Sequence, residues 1–390
     1  MITPGRLAPP ETLPVMPRAH ASARDPEALA KLARDLGPGP FAAVLLFISP
    51  EADRATVAEG LDKAFPGVTV IGCTTAGEIS PEGYSEGEIV AVALPRASFA
   101  VDCLGIDLGT LDGQELIGRL IRARAGLARL HPGWEGEFAF VMVDGMSIRE
   151  DELTAALGPG LGPVPLFGGS AGDGMRFGAT FVLQDGHFRQ GWAVLLVVRT
   201  ACKVKVFTLN HLVPTTRRMV VTGADPARRV VHQINAEPAA QEYARLLGKD
   251  PAQLTTFTFA AHPVVVRIGG SHHVRAIQRL AENGDLVFFS AIDEGLVLTL
   301  AEPQDMAIHL DHALTELSAA GPPAAILACD CILRRIEAME SQRFGAVSGL
   351  LKQHGVVGFS TYGEQFNSMH VNQTMTGVAI YPPAASGAKA

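Results

Sequence analysis

Nowhere does the chain string together the roughly twenty apolar residues that a membrane-spanning helix requires, and nowhere does it gather lysine and arginine into a run. The first absence argues against a bilayer span. The second, with a formal net charge of -8 at pH 7, argues against nucleic acid or an anionic membrane surface as the main partner. The opening stretch, MITPGRLAPPETLPVMPRAHASA, is proline-rich and holds no continuous apolar core. It does not read as a secretory leader. A loose arm over 1–30 and a cytoplasmic location are the expectations. The five cysteines, at 73, 103, 202, 329 and 331, are odd in number and form neither a Cys-x-x-Cys pair nor a Cys-x-x-Cys-His haem attachment. Reduced, mostly buried thiols are therefore expected rather than a disulfide framework or a zinc site.

What is present is an ordinary globular balance, with 47% hydrophobic and 18% charged residues. A chain of 390 residues exceeds one ordinary core, so two domains are expected. A seven-residue turn occurs twice: GCTTAGE at 72–78 and GFSTYGE at 358–364. The first follows an apolar strand (41–48), a helical stretch (52–65) and a short strand (68–72), and precedes a strand (87–94). The second follows a strand (323–330), a helical stretch (332–353) and a short strand (355–359), and precedes a strand (374–381). A middle copy has a strand at 137–144, a helix at 149–158, a turn one residue shorter within VPLFGGSAGDG (164–174), and a strand at 191–198. Self-similarity on this scale predicts duplicated strand-helix-strand units.

Residues 200–320 add strands at 203–209, 218–223, 263–269, 285–291 and 295–301, and helices at 223–234, 238–248 and 303–321. The pattern predicts an α/β protein of two domains, 31–200 and 201–385, with mixed β-sheets flanked by helices and a cavity between the halves.

A Gly-x-[Ser/Thr]-x-Gly turn exposes backbone N–H groups and hydroxyls, which can hold a small anion or the polar end of a metabolite. It can equally be a tight turn whose hydroxyls bond their own backbone. GGSAGDG lacks the spacing of a dinucleotide fingerprint, and no Gly-Lys-[Ser/Thr] of a phosphate loop occurs. Ser147, after a strand and before a helix, faintly echoes a nucleophile elbow, but Arg149 stands where the motif needs glycine. Ser147 with Glu150 reads instead as a capping box. A hydrolase is the weakest of the function classes, and no enzyme is expected.

The segments GCTTAGEI (72–79), LFGGSAGDG (166–174), NAEPAAQEYARLLG (235–248) and GFSTYGE with the later NQT (358–374) resemble the paired FIST domains, bacterial sensory modules, over residues 40 to 382. CDCILRRIEA (329–338) and GFSTYGEQFNSMHVNQTMTGVAI (358–380) resemble their NosP subgroup. That resemblance implies haem b, nitric oxide sensing, and control of a partner histidine kinase or a diguanylate cyclase or phosphodiesterase; a homodimer is open. The alternative is a haem-independent FIST sensor of amino acids or other small metabolites. Candidate ligand contacts are Gly72, Thr74, Thr75, Gly77, Glu78, Gly169, Ser170, Tyr362, Gly363, Glu364, Asn372 and Gln373. An axial haem ligand needs an imidazole whose other nitrogen is held by an acceptor. His370 is the candidate, although the family places its histidine directly before Asn-Gln-Thr and here it stands one residue earlier. His211 and His187 are the alternatives.

Overall fold

The computed structural model describes residues 14–383, and it resolves the repeat into three units of one plan. The first runs β1 (Arg18–Ser22), α1 (Ala28–Leu36), β2 (Phe41–Ile48), α2 (Arg54–Ala64), β3 (Thr69–Thr74), the hairpin β4 (Glu78–Ser80) and β5 (Gly83–Ser85), then β6 (Glu88–Pro95). The second runs β7 (Phe99–Asp107), α3 (Gly113–Leu130), β8 (Gly136–Val143), α4 (Glu150–Leu161), β9 (Leu166–Ser170), the hairpin β10 (Val182–Gln184) and β11 (His187–Arg189), then β12 (Trp192–Thr200).

The third begins with β13 (Val204–Leu209) and is interrupted by an inserted lobe. That lobe holds β14 (Leu212–Asp225), β15 (Val230–Ile234), β16 (Glu237–Pro238), α5 (Ala239–Leu247), α6 (Thr256–Ala261), β17 (Val264–Ile268), β18 (Ser271–Arg275), β19 (Ile277–Leu280), β20 (Leu286–Phe288) and β21 (Val297–Pro303). The unit resumes with α7 (Met306–Leu317), β22 (Ala325–Cys331), α8 (Ile332–Glu340), α9 (Phe344–Gln353), β23 (Val356–Thr361), the hairpin β24 (Glu364–Phe366) and β25 (Met369–Val371), and β26 (Met375–Ile380).

The protein is thus mixed α/β, with two lobes whose sheets carry helices. Within each unit the strands before and after the crossover pair in parallel, β2 with β3, β8 with β9 and β22 with β23. Each unit then lends its hairpin to the next. β4 pairs β23, β24 pairs β9, and β10 pairs β3. Three sheets of like order result: β1-β6-β2-β3-β10-β11, β7-β12-β8-β9-β24-β25 and β13-β26-β22-β23-β4-β5. The exchange closes a ring, and it covers sheet edges that would otherwise be left unpaired.

Burial on both faces explains why the central strands read as unbroken apolar runs rather than alternating ones. All eight residues of β2 are buried. Its Leu45 and Phe47 point to a core shared by the three sheets, where Phe47 stacks on Phe359 at 4.7 Å and meets Phe140 edge-on at 6.4 Å. Its Val44, Leu46 and Ile48 face α1 and α2. Each large side chain so buried contributes roughly 1.5–3 kcal/mol.

Several sequence expectations change. Residues 1–13 of the expected loose arm lie outside the described residues, but Arg18–Ser22 pairs with β6 and Met16 enters the central core. Residues 14–30 are therefore integrated structure. The expected helix at 223–234 is a short 3-10 turn followed by β15: Arg229 takes a left-handed conformation that ends the turn, and the β-branched Val230-Val231 pair joins a sheet. The helix expected over 332–353 is two, parted at Gln342 with φ of 58°. The division expected near residue 200 falls between the second and third units, while the inserted lobe spans 212–303. Among the described residues no helix is long and apolar enough to cross a membrane.

The turn glycines fit one steric demand. A Cβ on Gly72, Gly168 or Gly358 would lie closer than 3.0 Å to the carbonyl oxygen of Leu46, Val141 or Ala328, the neighbouring strand of the same unit. We expect Gly358→Ala to destabilise the fold by about 2 kcal/mol or more, as overpacking does. Gly126→Ala, in open space on α3, should stabilise by roughly 0.5–1 kcal/mol. Urea unfolding of both variants checks the pair; equal behaviour would refute the steric account.

Candidate functional site

The three turns stand at the carboxyl ends of the parallel strands and bond directly to one another. Ala76 N donates to Ser360 O at 2.9 Å and Ser360 N to Gly77 O at 2.7 Å. Ser170 N donates to Gly363 O at 2.8 Å and Tyr362 N to Ser170 O at 3.2 Å. Gly172 N donates to Thr74 O at 3.0 Å and Gly174 N to Thr75 O at 3.1 Å.

Most of the turn side chains are also committed. Thr75 donates to Glu78, and Thr361 donates to Glu364, the same bond in two copies. The second oxygen of each glutamate ties its turn to the following strand: Glu78 accepts from Glu88 N at 3.2 Å, and Glu364 accepts from Thr374 Oγ1 at 2.7 Å. The middle copy has Ala171 for the threonine and Asp173 for the glutamate. There Tyr362 reaches across, its hydroxyl bonded to Asp173 and to Gly174 O at 2.9 Å. Thr74 Oγ1 accepts from Phe181 N at 3.0 Å, and Ser170 Oγ from Gln365 Nε2 at 2.9 Å. Gly72 and Gly169 are packed against neighbouring strands and side chains. Gly77 and Glu78 do border a cleft of ≈ 350 Å³, shared with Asp173, Arg176 and Arg335 from the other units. A larger hollow of ≈ 720 Å³ lies between α1 and α2 and contains no turn residue.

The inserted lobe caps this end of the ring. Phe289 of the lobe meets Phe177 at 5.6 Å and Tyr362 at 6.0 Å. Arg229 of the lobe bonds Glu150 at 2.7 Å and Asp151 at 3.0 Å, at the start of α4. The expected capping box with Ser147 does not form, because α4 starts at Glu150 with Arg149 at its N-cap; Ser147 Oγ accepts from Arg149 N at 3.3 Å, and the helix has no side-chain cap. Crevices outside the carboxyl ends of parallel strands are where open α/β folds bind ligands.

Beneath this cap lies an anomaly. Asn372 is 0% exposed and neither of its amide atoms has a partner. His370 Nε2, Gln365 Oε1 and Gln373 Oε1 are likewise buried and unpartnered. His370 and Asn372 both press on Gly363, whose absent side chain makes room for them. Gln365 lies opposite His370 in the hairpin. Gln373 reaches the lobe through Nε2 to Ala260 O at 2.8 Å, and it holds φ of 48°, a strained value for a side-chain-bearing residue. Each buried polar atom without a partner costs about 1–3 kcal/mol. Such a cluster at a lobe junction marks a place for ligand or ordered water.

The donor set at His370 does not fit a haem. Its Nδ1 lies 3.2 Å from Gln365 Nε2, and its Nε2 is buried without a partner. The same edge lies against Gly363 and the Asn372 amide rather than apolar walls. Both nitrogens of His211 are engaged, Nε2 with Glu337 at 2.8 and 3.0 Å and Nδ1 with Arg334 at 2.8 Å. His187 stands exposed on β11. Among the described residues no group of three or more His, Cys, Asp or Glu could hold a metal ion.

The sequence reading named His370, Asn372 and Gln373 but missed Gln365, Arg229 and the Phe177–Phe289 contact. No local pattern signals these, because they meet only through the exchanged hairpin and the lobe.

Family models match in two blocks, the FIST N domain over residues 42–237 and the FIST C domain over 239–367. No curated protein matches the chain.

Burial pushes the Glu364 carboxyl up to about 8 and that of Glu78 up to about 7, against the hydroxyl bonds that favour ionisation. Both folded values exceed the ordinary one near 4.5. Their stabilising contribution is therefore complete below that value and is lost as pH rises through the folded values. We expect the melting temperature to decline between about pH 5 and about pH 8, and Glu364→Gln, which cannot ionise, to flatten the decline. An unchanged slope in that variant would contradict the assignment.

Proposed function

The chain belongs to the FIST family, whose domains are sensory modules of signal transduction, and on that premise we propose that it senses a small polar molecule bound between the ring of turns and the inserted lobe. The observation that carries this reading is Asn372, fully buried with both amide atoms unpartnered, beside the free Nε2 of His370. A ligand that satisfies these atoms recovers the cost of leaving them bare, and that recovery is its binding energy.

The site is closed, so the ligand enters when the lobe parts from the ring. Occupancy then favours the closed arrangement, a population shift set by the ligand's differential affinity for the two states. The changed lobe position is what a partner reads; the resemblance implies a histidine kinase or a cyclic-di-GMP enzyme for that role. The haem and nitric oxide reading does not sit on this edge of His370, which is closed in by Gly363 and the Asn372 amide.

Two measurements test the proposal. In a thermal-shift screen of small metabolites, a stabilising compound should lose at least about tenfold in affinity with Asn372→Leu, the cost of one buried hydrogen bond. A ligand indifferent to Asn372 would place the site elsewhere. On haem titration, no Soret band that depends on His370 is expected; a band abolished by His370→Ala would restore the haem reading.

A further inference from the structure

We infer that the ligand of this site presents an amide-type edge, an N–H beside a C=O, as in a carboxamide, a cyclic ureide or a nucleobase, and carries no positive charge. This rests on the proposed ligand site and narrows its occupant.

The edge follows from Asn372. Its oxygen and nitrogen are borne on one planar carbon, and both lack partners. One group that satisfies the two together must offer a donor and an acceptor side by side, which is the edge of another amide. His370 lies beside Asn372. Its Nε2 is buried without a partner and supplies a further polar contact for the ligand. Gln365 Oε1 and Gln373 Oε1 add acceptors, which match further N–H groups on the ligand.

The exclusion of a cation follows from the ionic groups around the cluster. The charges that face His370 are Glu150, Asp151, Arg229 and Arg275, two of each sign. Arg229 is bonded to both carboxylates. Arg275, on β18 of the lobe, lies in the field of Asp151, but its Nε is buried without a partner. Asp330 is paired with Arg334 at 2.7 Å. The carboxyl of Glu364 is enclosed by Thr361 and Thr374. Among the charges that face His370, Arg275 is thus the one that could pair an anionic substituent, whereas a cation would find no unspent carboxylate and would be buried unpaired, which is costly.

The test uses the full chain and defined probes. Calorimetric titration compares nicotinamide, hydantoin, uracil and hypoxanthine with benzoate and glutamate as anions and putrescine as a cation. At least one uncharged amide-edge probe is expected to bind. Its affinity should fall at least about tenfold in Asn372→Leu and in Asn372→Asp, where the amide N–H is replaced by an acceptor. Which of the four binds separates carboxamide, ureide and nucleobase sources. Cooperative unfolding of both variants guards against a mere loss of fold. If only benzoate or glutamate binds, through Asn372, the ligand class is wrong while the site stands. If uncharged probes bind equally to both variants, the site itself is wrong. If none of the four binds, the inference is overturned.

Discussion

The structure depends on six backbone hydrogen bonds that join three turns into a closed ring. Each unit alone would leave a hairpin with no sheet to join and a sheet with a bare edge. Exchange around the ring removes both liabilities at once, because each hairpin covers the edge of the next sheet. Closure also brings three inner sheet faces together over one core, so ring geometry and hydrophobic burial support the same arrangement. The small residues at the bends follow from how closely the chains must pass there.

This constraint separates what the sequence reveals from what it hides. The strands over 41–48, 137–144 and 323–330 are legible because burial on both faces forces continuous apolar runs, and the recurring turn exposes the repeat. The partner of each hairpin is not legible. Glu364 meets Gly169, and Glu78 meets Phe359, pairings hundreds of residues apart that no local period encodes. Helix α3 does carry a local signal, with Asp112 as its cap and Leu116, Leu120, Ala123 and Leu127 at helical spacing. The reverse holds at 223–234, where local helix signals lost to pairing with β14 and β20.

The candidate site was half legible for a similar reason. The turns caught the eye because they repeat, yet repetition reflects their shared structural duty. Thr75 with Glu78 and Thr361 with Glu364 spend their polar atoms on holding the bend. Recognition has to come from what the copies do not share. Only the third unit carries the inserted lobe, and only its hairpin leads into a stretch, 370–373, whose buried amides and imidazole are left unpartnered. In a near-symmetric body, the departures from symmetry are where specific chemistry can be placed.

The lobe is joined to the ring in a way that makes its position consequential. At its entry stands His211, buried and held between Glu337 and Arg334; Arg334 bonds Asp330, and Asp330 accepts from Tyr84 in the hairpin of the first unit. Burial lowers the His211 pKa from its ordinary range, so the link is one of oriented hydrogen bonds rather than an exposed ion pair. Removing one member would leave a buried charge uncompensated, a loss of about 3–5 kcal/mol. Displacement of the lobe therefore acts on a rigid chain of groups that ends in another unit, instead of dissipating in a flexible linker. A ligand held under the lobe by Asn372 and His370 would act on the same body from its opposite contact, through Arg229 and the start of α4. On the proposed reading, two anchored ends on one lobe would convert occupancy of the crevice into a change of surface, which is the mechanical requirement of a sensor.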